Sequence, residues 1–246
     1  LSMTATPIPR SLALALYGDV DFSALRQMPP GRLPVETFLA AGGDRAAMME
    51  HVRSEAAQGR KTFIVCPLIE ASDTLGVKSV EEEAERLRAE LNGLEVSLVH
   101  GRMKAEAKRE TMERFARGET TVLVSTTVIE VGVDVPLATT IVIEGAERFG
   151  MAQLHQLRGR GGRSSLPSRC YLAPSHGAPQ ALERLRAFMR AKDCFELSEI
   201  DLQFRGPGSL FGEEQSGFAE LQRFRPGDGR LIEETREAVR VLAEAD

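Results

Sequence analysis

Five short, mostly apolar runs recur along the chain: "TFIVCPLI" (62–69), "EVSLV" (95–99), "TTVLVST" (120–126), "TTIVIEG" (139–145) and "SRCYLAP" (168–174). Helix-patterned or glycine-bearing stretches separate them. "TFIVCPLI" is nearly continuous in its apolarity, as expected of a strand buried on both faces, and such strands belong to parallel sheets covered by helices. The intervening segments fit that role. A helix is expected around Ala46 to Gln58. "SVEEEAERLRAEL" sets Val80, Ala84, Leu87 and Leu91 at helical spacing, with acids early and arginines late as the helix dipole favours. "KAEAKRETMERFARGE" places Ala105, Met112 and Phe115 on one face and stops at Gly118.

Strand, helix and strand in alternation predict a doubly wound α/β lobe whose sites lie at the carboxyl ends of its strands. "VSTTVIEVGVDVP" (124–136) and "EGAERFGMAQLHQLRGRGGR" (144–163) both follow strand ends and are the places to look. Upstream, "RQMPPGRLPVETF" carries three prolines before a short extended run, a plausible domain boundary. Downstream of Gly177 the chain reads as helix, interrupted by "FRGPGSLFGEEQSG". The opening "LSMTATPIPRSLALALYG" reads as the middle of a domain, so the chain is expected to be part of something longer.

"HQLRGRGGRSS" (155–165) packs three arginines and three glycines into eleven positions without a carboxylate, in a chain of net charge −5. Glycine inside a helix costs about 1 kcal/mol relative to alanine, so Gly159, Gly161 and Gly162 mark a helix end passing into a tight loop. Arg160 and Arg163, three apart, would point the same way on a helical turn. Two converging guanidiniums make a good phosphate site. A solvated helix end and a flexible single-strand-binding RGG segment are the other readings, the latter at odds with flanks of apolar helix and strand. No GxxxxGK[ST] occurs and no strand runs into a DExx-type box, so the chain has finger-like arginines but no nucleotide cradle.

Other chemistries find less support. Cys66, Cys170 and Cys194 are odd in number and far apart, which indicates neither a disulfide framework nor a zinc site and fits a reducing cytoplasm. His51, His100, His155 and His176 show no ligand spacing, and no metal held by protein side chains alone is expected. No apolar run approaches the roughly 18 residues of a membrane span, so a soluble, cytoplasmic protein without a membrane partner is expected.

"TATPIPR" (4–10), "VIEVGVDVP" (128–136) and "QLRGRGGR" (156–163), in that order, resemble motifs III, V and VI of superfamily 2 helicases. Within that superfamily, "MTATPIPRSLALALYGDVDFS", "MPPGR", "VCPLIEAS", "HGRMK" and "DLQFRGPGSLFGEEQSG" closely resemble the RecG family of ATP-dependent branch-migrating DNA helicases. The resemblance covers essentially the whole chain. It implies a RecA-like, P-loop NTPase-type doubly wound parallel sheet with a C-terminal helical hairpin and loop. Residues 1–35 would be the tail of a first lobe and its linker, 36–176 the second lobe, and 177–246 the hairpin and translocation loop. The Walker lobe and a DNA-splitting wedge domain would lie upstream, so this chain alone should not hydrolyse ATP.

The resemblance also implies roles. Arg160 and Arg163 would reach the γ-phosphate of ATP, held with Mg²⁺ mainly by the first lobe, while Gln156 positions water or phosphate. Asp134, beyond the turn at Gly132, would contact the ribose, and Thr126 and Thr127 the DNA backbone. Thr4 and Thr6 would link the Mg²⁺-binding carboxylates to the second lobe. Arg184 matches an arginine of the hairpin; Arg205 and Gln215 belong to the loop expected to push on duplex DNA. Glu213 and Glu214 depart from the neutral or basic pair common there, which would weaken a direct phosphate contact. Expected partners are branched double-stranded DNA at stalled forks and Holliday junctions, the first lobe and wedge of the same protein, and a single-stranded DNA-binding protein as a further candidate, with the protein a monomer. The motor of a transcription-repair coupling factor and a non-catalytic, degenerate helicase lobe are the alternatives.

Overall fold

The computed structural model describes residues 31, 33–67, 73–126, 135–191, 193–205, 234 and 238, with backbone only at 73–80, 195, 199, 202, 203 and 205. One compact unit spans Met28–Met189, and the described residues from Arg190 onward belong to a second unit.

Six strands form one sheet: β1 (Val35–Leu39), β2 (Lys61–Val65), β3 (Val96–Val99), β4 (Val122–Ser125), β5 (Ala138–Glu144) and β6 (Ser168–Ala173). Their order is β1-β6-β5-β2-β4-β3, and every pairing is parallel. The described helices are α1 (Asp44–Ala57), α2 (Asp73–Glu90), α3 (Ala105–Arg117), α4 (Met151–Arg158), α5 (Pro179–Arg190) and α6 (Cys194–Arg205). The chain winds outward from β2 to β3, returns to β4, then crosses β2 to reach β5 and β6. That reversal is the doubly wound arrangement the apolar runs predict.

The central strands are largely apolar because both faces are covered. On one face Ile64, Val124, Val142 and Tyr171 lie side by side in register and pack with Met48, Met49 and Val52 of α1 and Ala84, Leu87 and Leu91 at α2. On the other, Phe63 meets Phe115 of α3, ring centroids 5.0 Å apart, with Leu123, Ile141 and Cys170 beside it in register. Burial pushes the Cys170 thiol up to about 12, so it behaves as a small apolar side chain. Met112 joins Phe115 in the core, but Ala105, the first residue of α3, is exposed, so the expected apolar face of that helix starts later than its spacing suggests. Gly118 ends α3 at φ +83°, the left-handed stop its position predicts. Helix α2 begins at Asp73, six residues before the expected start at Ser79.

Several polar groups inside the lobe are matched. Glu55 is 5% exposed, accepts from Thr139 Oγ1 at 2.5 Å and pairs with Arg60 at 2.9 Å. Arg45 bridges Glu90 and Glu144, each at 2.9 Å. His51 of α1 reaches the sheet, where Arg169 Nη1 donates to its Nδ1 at 3.4 Å. Guanidinium can only donate, so the ring's proton sits on Nε2 and points to Thr140 Oγ1, 3.3 Å away.

Burial, and next the charge of Arg169, hold His51 below the ordinary histidine range. A depressed folded-state pKa means that the unfolded chain takes up the proton first, so the stability due to neutral His51 is present above about pH 6.5 and is lost as pH falls. The urea midpoint is therefore expected to drop between about pH 7.5 and pH 5.5. His51→Gln, whose amide can meet both partners without titrating, should show a shallower drop in the same unfolding series.

Candidate functional site

In a parallel sheet each crossover carries the chain from the carboxyl rim back to the amino rim, and this decides where the arginines stand. β5 ends at Glu144, a single 3-10 turn (Ala146–Arg148) follows, and α4 runs back alongside the sheet. Eight helical residues advance about 12 Å. The loop after α4 therefore arrives at the amino rim: the Gly162 N–H donates to the carbonyl of Ala138, first residue of β5, at 3.3 Å. The expectation that sites lie at the carboxyl ends is corrected for this segment. It leaves a carboxyl end but delivers its arginines to the opposite rim.

The loop is shaped by one glycine above all. Gly162 has φ +67°, and a Cβ placed there would come within 2.7 Å of Val35 Cγ2 and 3.3 Å of Ser168 Cβ, at the starts of β1 and β6. A side chain is excluded twice, by backbone conformation and by space. Because α4 ends at Arg158 and Gly162 is left-handed, Arg160 and Arg163 do not share a helical turn. Their proximity is nonetheless felt: burial first, then the positive charge of Arg163, lower the pKa of Arg160. Both remain cations at neutral pH. Among the described residues no carboxylate forms an ion pair with Arg160. Gln156 is exposed on α4. Arg158, the third arginine of the cluster, is spent on structure, its guanidinium lying 4.6 Å from the Phe188 ring centroid on α5.

At the carboxyl rim β3 and β4 end side by side, with Val99 opposite Ser125 in register. The next residues are His100 and Thr126. Thr126 is 3% exposed, and its Oγ1, like Nδ1 of His100, is buried with no hydrogen-bond partner among the described residues. Such groups cost free energy unless something outside the chain meets them. Lys104 occupies the N-cap position of α3 and Arg102 stands just before it, cations beside the positive end of a helix. That combination suits an anion.

Arg184 of α5 joins the two crossovers that leave β5 and β6. Its Nη2 donates to the carbonyl oxygens of Glu147 at 2.6 Å and Phe149 at 2.9 Å, in the turn that feeds α4. The Glu147 carboxylate accepts the backbone N–H of Ser175, just beyond β6, at 3.1 Å. Sequence reasoning missed Glu147, since a lone glutamate in "EGAERFG" carries no signal of these contacts. Thr4, Thr6, Thr127, Gly132, Asp134 and Gln215 lie outside the described residues; Arg205 is described only as the last residue of α6. Among the described residues no cluster of three or more His, Cys, Asp or Glu is placed to hold a metal, and no helix is long and apolar enough to cross a membrane.

The helicase conserved C-terminal domain matches residues 44–165, from the start of α1 through the arginine loop. An ATP-dependent DNA helicase RecG of Thermotoga maritima is 48% identical over 98% of this chain, and one of Synechocystis sp. is 47% identical over 90%. Over nearly its whole length the chain is thus similar to a part of RecG helicases. It spans 31% and 27% of those two relatives. A solved structure of RecG bound to a three-way DNA junction superposes with a TM-score of 0.70 at 45% identity, over 94% of this chain and 30% of that one. The sheet and its helices thus form a RecA-like lobe of the helicase C-terminal type.

If Gly162 shapes the arginine loop of this lobe as described, Gly162→Ala should destabilise it by about 2–5 kcal/mol, summing left-handed strain and overpacking against Val35. Thermal unfolding of the two proteins side by side tests this. Gly161→Ala meets only ordinary contact, 3.7 Å from Ile141 Cγ2, and should cost far less.

Proposed function

We propose that this chain is the second motor lobe of an ATP-driven translocase acting on branched double-stranded DNA, such as stalled replication forks and Holliday junctions, in recombination and repair. The observation that carries the reading is the placement of Arg160 and Arg163 together on one glycine-shaped loop at the amino rim, close enough for the charge of Arg163 to act on Arg160. Two guanidiniums so placed fit a triphosphate brought by another lobe. The names of the relatives and the junction-bound RecG structure support the same assignment.

ATP would supply the phosphoryl group that is cleaved. Arg160 and Arg163 would bind its terminal phosphate oxygens and stabilise the charge that builds there, as arginine fingers do. Gln156 would hold the attacking water or a phosphate oxygen, and Asp134, after Gly132, would accept from the ribose hydroxyls. We assign Mg²⁺ to the first lobe, whose carboxylates Thr4 and Thr6 would link to this one. At the opposite rim Thr126 and Thr127 would hold the DNA backbone, with the basic start of α3 beside them. Arg184, Arg205 and Gln215 would tie the C-terminal hairpin and its loop to the finger-bearing crossover. Residues 1–35 would then be the end of the first lobe with its linker, and 177–246 the hairpin and loop. The partners would be the first lobe and wedge of the same protein and a single-stranded DNA-binding protein, in the cytoplasm, with the protein a monomer.

Alone, this chain should show no DNA-stimulated ATPase; activity from it would overturn the placement of the nucleotide. In the full-length protein Arg163→Ala should lower hydrolysis by about 10³ or more with DNA binding near normal, and a loss below about tenfold would mean that Arg163 is not a finger. Gln215→Ala should keep appreciable ATPase and lose fork movement, read by regression of a labelled fork.

A further inference from the structure

The contacts of Glu147 give it a position that no other described residue has. Its backbone carbonyl holds Arg184 of α5, and its side-chain carboxylate holds the Ser175 N–H, in the segment that leads from β6 into α5. Helix α5 is thus fastened at its approach and along its length to one residue of the 3-10 turn. That turn opens directly into α4, where Gly150 N–H is capped by Gln153 Oε1 at 3.0 Å, and α4 ends at the arginine loop. The other carboxylate oxygen, Oε1, is buried with no hydrogen-bond partner among the described residues. Among the described residues only one of the two carboxylate oxygens therefore has a partner, and it is the one that reaches the start of the next crossover.

The turn cannot shift freely beneath Glu147. Gly145, next to β5, has φ +57°, and a Cβ there would come within 2.9 Å of Pro67 Cγ and 3.2 Å of Ser175 Oγ. The exits of β2, β5 and β6 are therefore pressed together, with Glu147 as the polar link between the last two.

We infer that Glu147 is a positioning residue that couples displacement of α5 to the placement of Arg160 and Arg163, through the turn and the rigid span of α4. A helix is stiff along its axis, so a shift at its first turn is passed to its last. The inference rests on the proposed function in taking the two arginines as the nucleotide-responding groups. What it adds is the residue that ties them to α5 and the geometry by which it does so.

The test uses the full-length protein and reads the ratio of DNA-stimulated to basal ATPase, fork movement per ATP hydrolysed, and the thermal midpoint. Glu147→Gln keeps an acceptor at the same reach for the Ser175 N–H and should stay within about threefold of the parent ratio. Glu147→Asp keeps the charge but falls short by one methylene. It should lose about 5- to 30-fold in the stimulation ratio, as should Glu147→Ala, with fork movement per ATP falling in step. Adding Arg184→Ala to Glu147→Asp should make the ratio little worse than the weaker single variant, because both act through one turn.

A merely structural role predicts something different: basal and stimulated rates falling together in proportion to the thermal midpoint, with Asp and Gln equivalent. That result, or an unchanged ratio in Glu147→Asp, overturns the inference. So does a Gln variant as impaired as Asp. Should Glu147→Ala fail to fold, the Gln and Asp pair decides alone. Absence of DNA-stimulated hydrolysis in the unsubstituted full-length protein would instead sink the proposed function itself, so the two failures are told apart.

Discussion

Every connection in an all-parallel sheet must bring the chain back across the full length of a strand, and the rest of this lobe depends on that constraint. Six strands in the order β1-β6-β5-β2-β4-β3 can be joined only by segments that begin at the carboxyl rim and end at the amino rim. A single crossover therefore touches both rims. The one after β5 carries Glu147 at its start, Gln156 along its length and Arg160 and Arg163 at its end. Groups near in sequence are held roughly a helix length apart, and the helix between them is a strut. The same constraint buries the central strands on both faces, which is why burial raises the Cys170 thiol and why polar groups such as Glu55, Thr139 and Arg60 are found paired with one another.

The fold was legible because that constraint writes itself into the chain. Runs such as "TFIVCPLI" and "TTIVIEG" set apolar residues on successive pleat positions and so on both faces, and α3 announces its end with Gly118. What misled was the rule that sites in such sheets lie at the carboxyl ends. His100 and Thr126 stand at carboxyl ends, whereas the arginine loop arrives at the amino rim, because motif order along the chain does not say at which end of a crossover a motif falls. The helical-turn argument for Arg160 and Arg163 failed for a local reason. Three glycines in four positions signal a loop, but only the backbone shows that Gly162 adopts φ +67° and so breaks the phase between the two side chains. The start of α2 at Asp73 was missed because "SDTLGVK" lacks the run of acids and arginines that marks the rest of that helix.

Long-range polar contacts were the least legible. Nothing in "EGAERFG" signals that Glu147 will meet a backbone N–H 28 positions later, nor that Arg184 will donate to the main-chain carbonyls of Glu147 and Phe149. Main-chain partners carry no side-chain signature, so pattern reading is blind to them. The three arginines of "HQLRGRGGRSS" show the same limit in reverse. They look alike in sequence, yet Arg158 lies over Phe188 while Arg160 stands beside Arg163.

The arginine loop and the strut behave mechanically as one unit. Arg160 is partly withdrawn from water and lies in the field of Arg163, and both effects lower its pKa. The loop that carries the two is held by its backbone, since Gly162 is wedged against Val35 and Ser168 at the starts of two strands and the Gly162 N–H is tied to Ala138 at the start of a third. A local swing of the loop would break contacts with three strands. Displacement of the loop is therefore left to movement of α4 as a body. Such movement leads through the turn at 146–148, where Glu147 and Arg184 hold it, so the loop at one rim and the restraint at the other act on the same rigid element. Coupling between the two rims, where it operates, would need no chain of intermediates beyond one helix and its two ends.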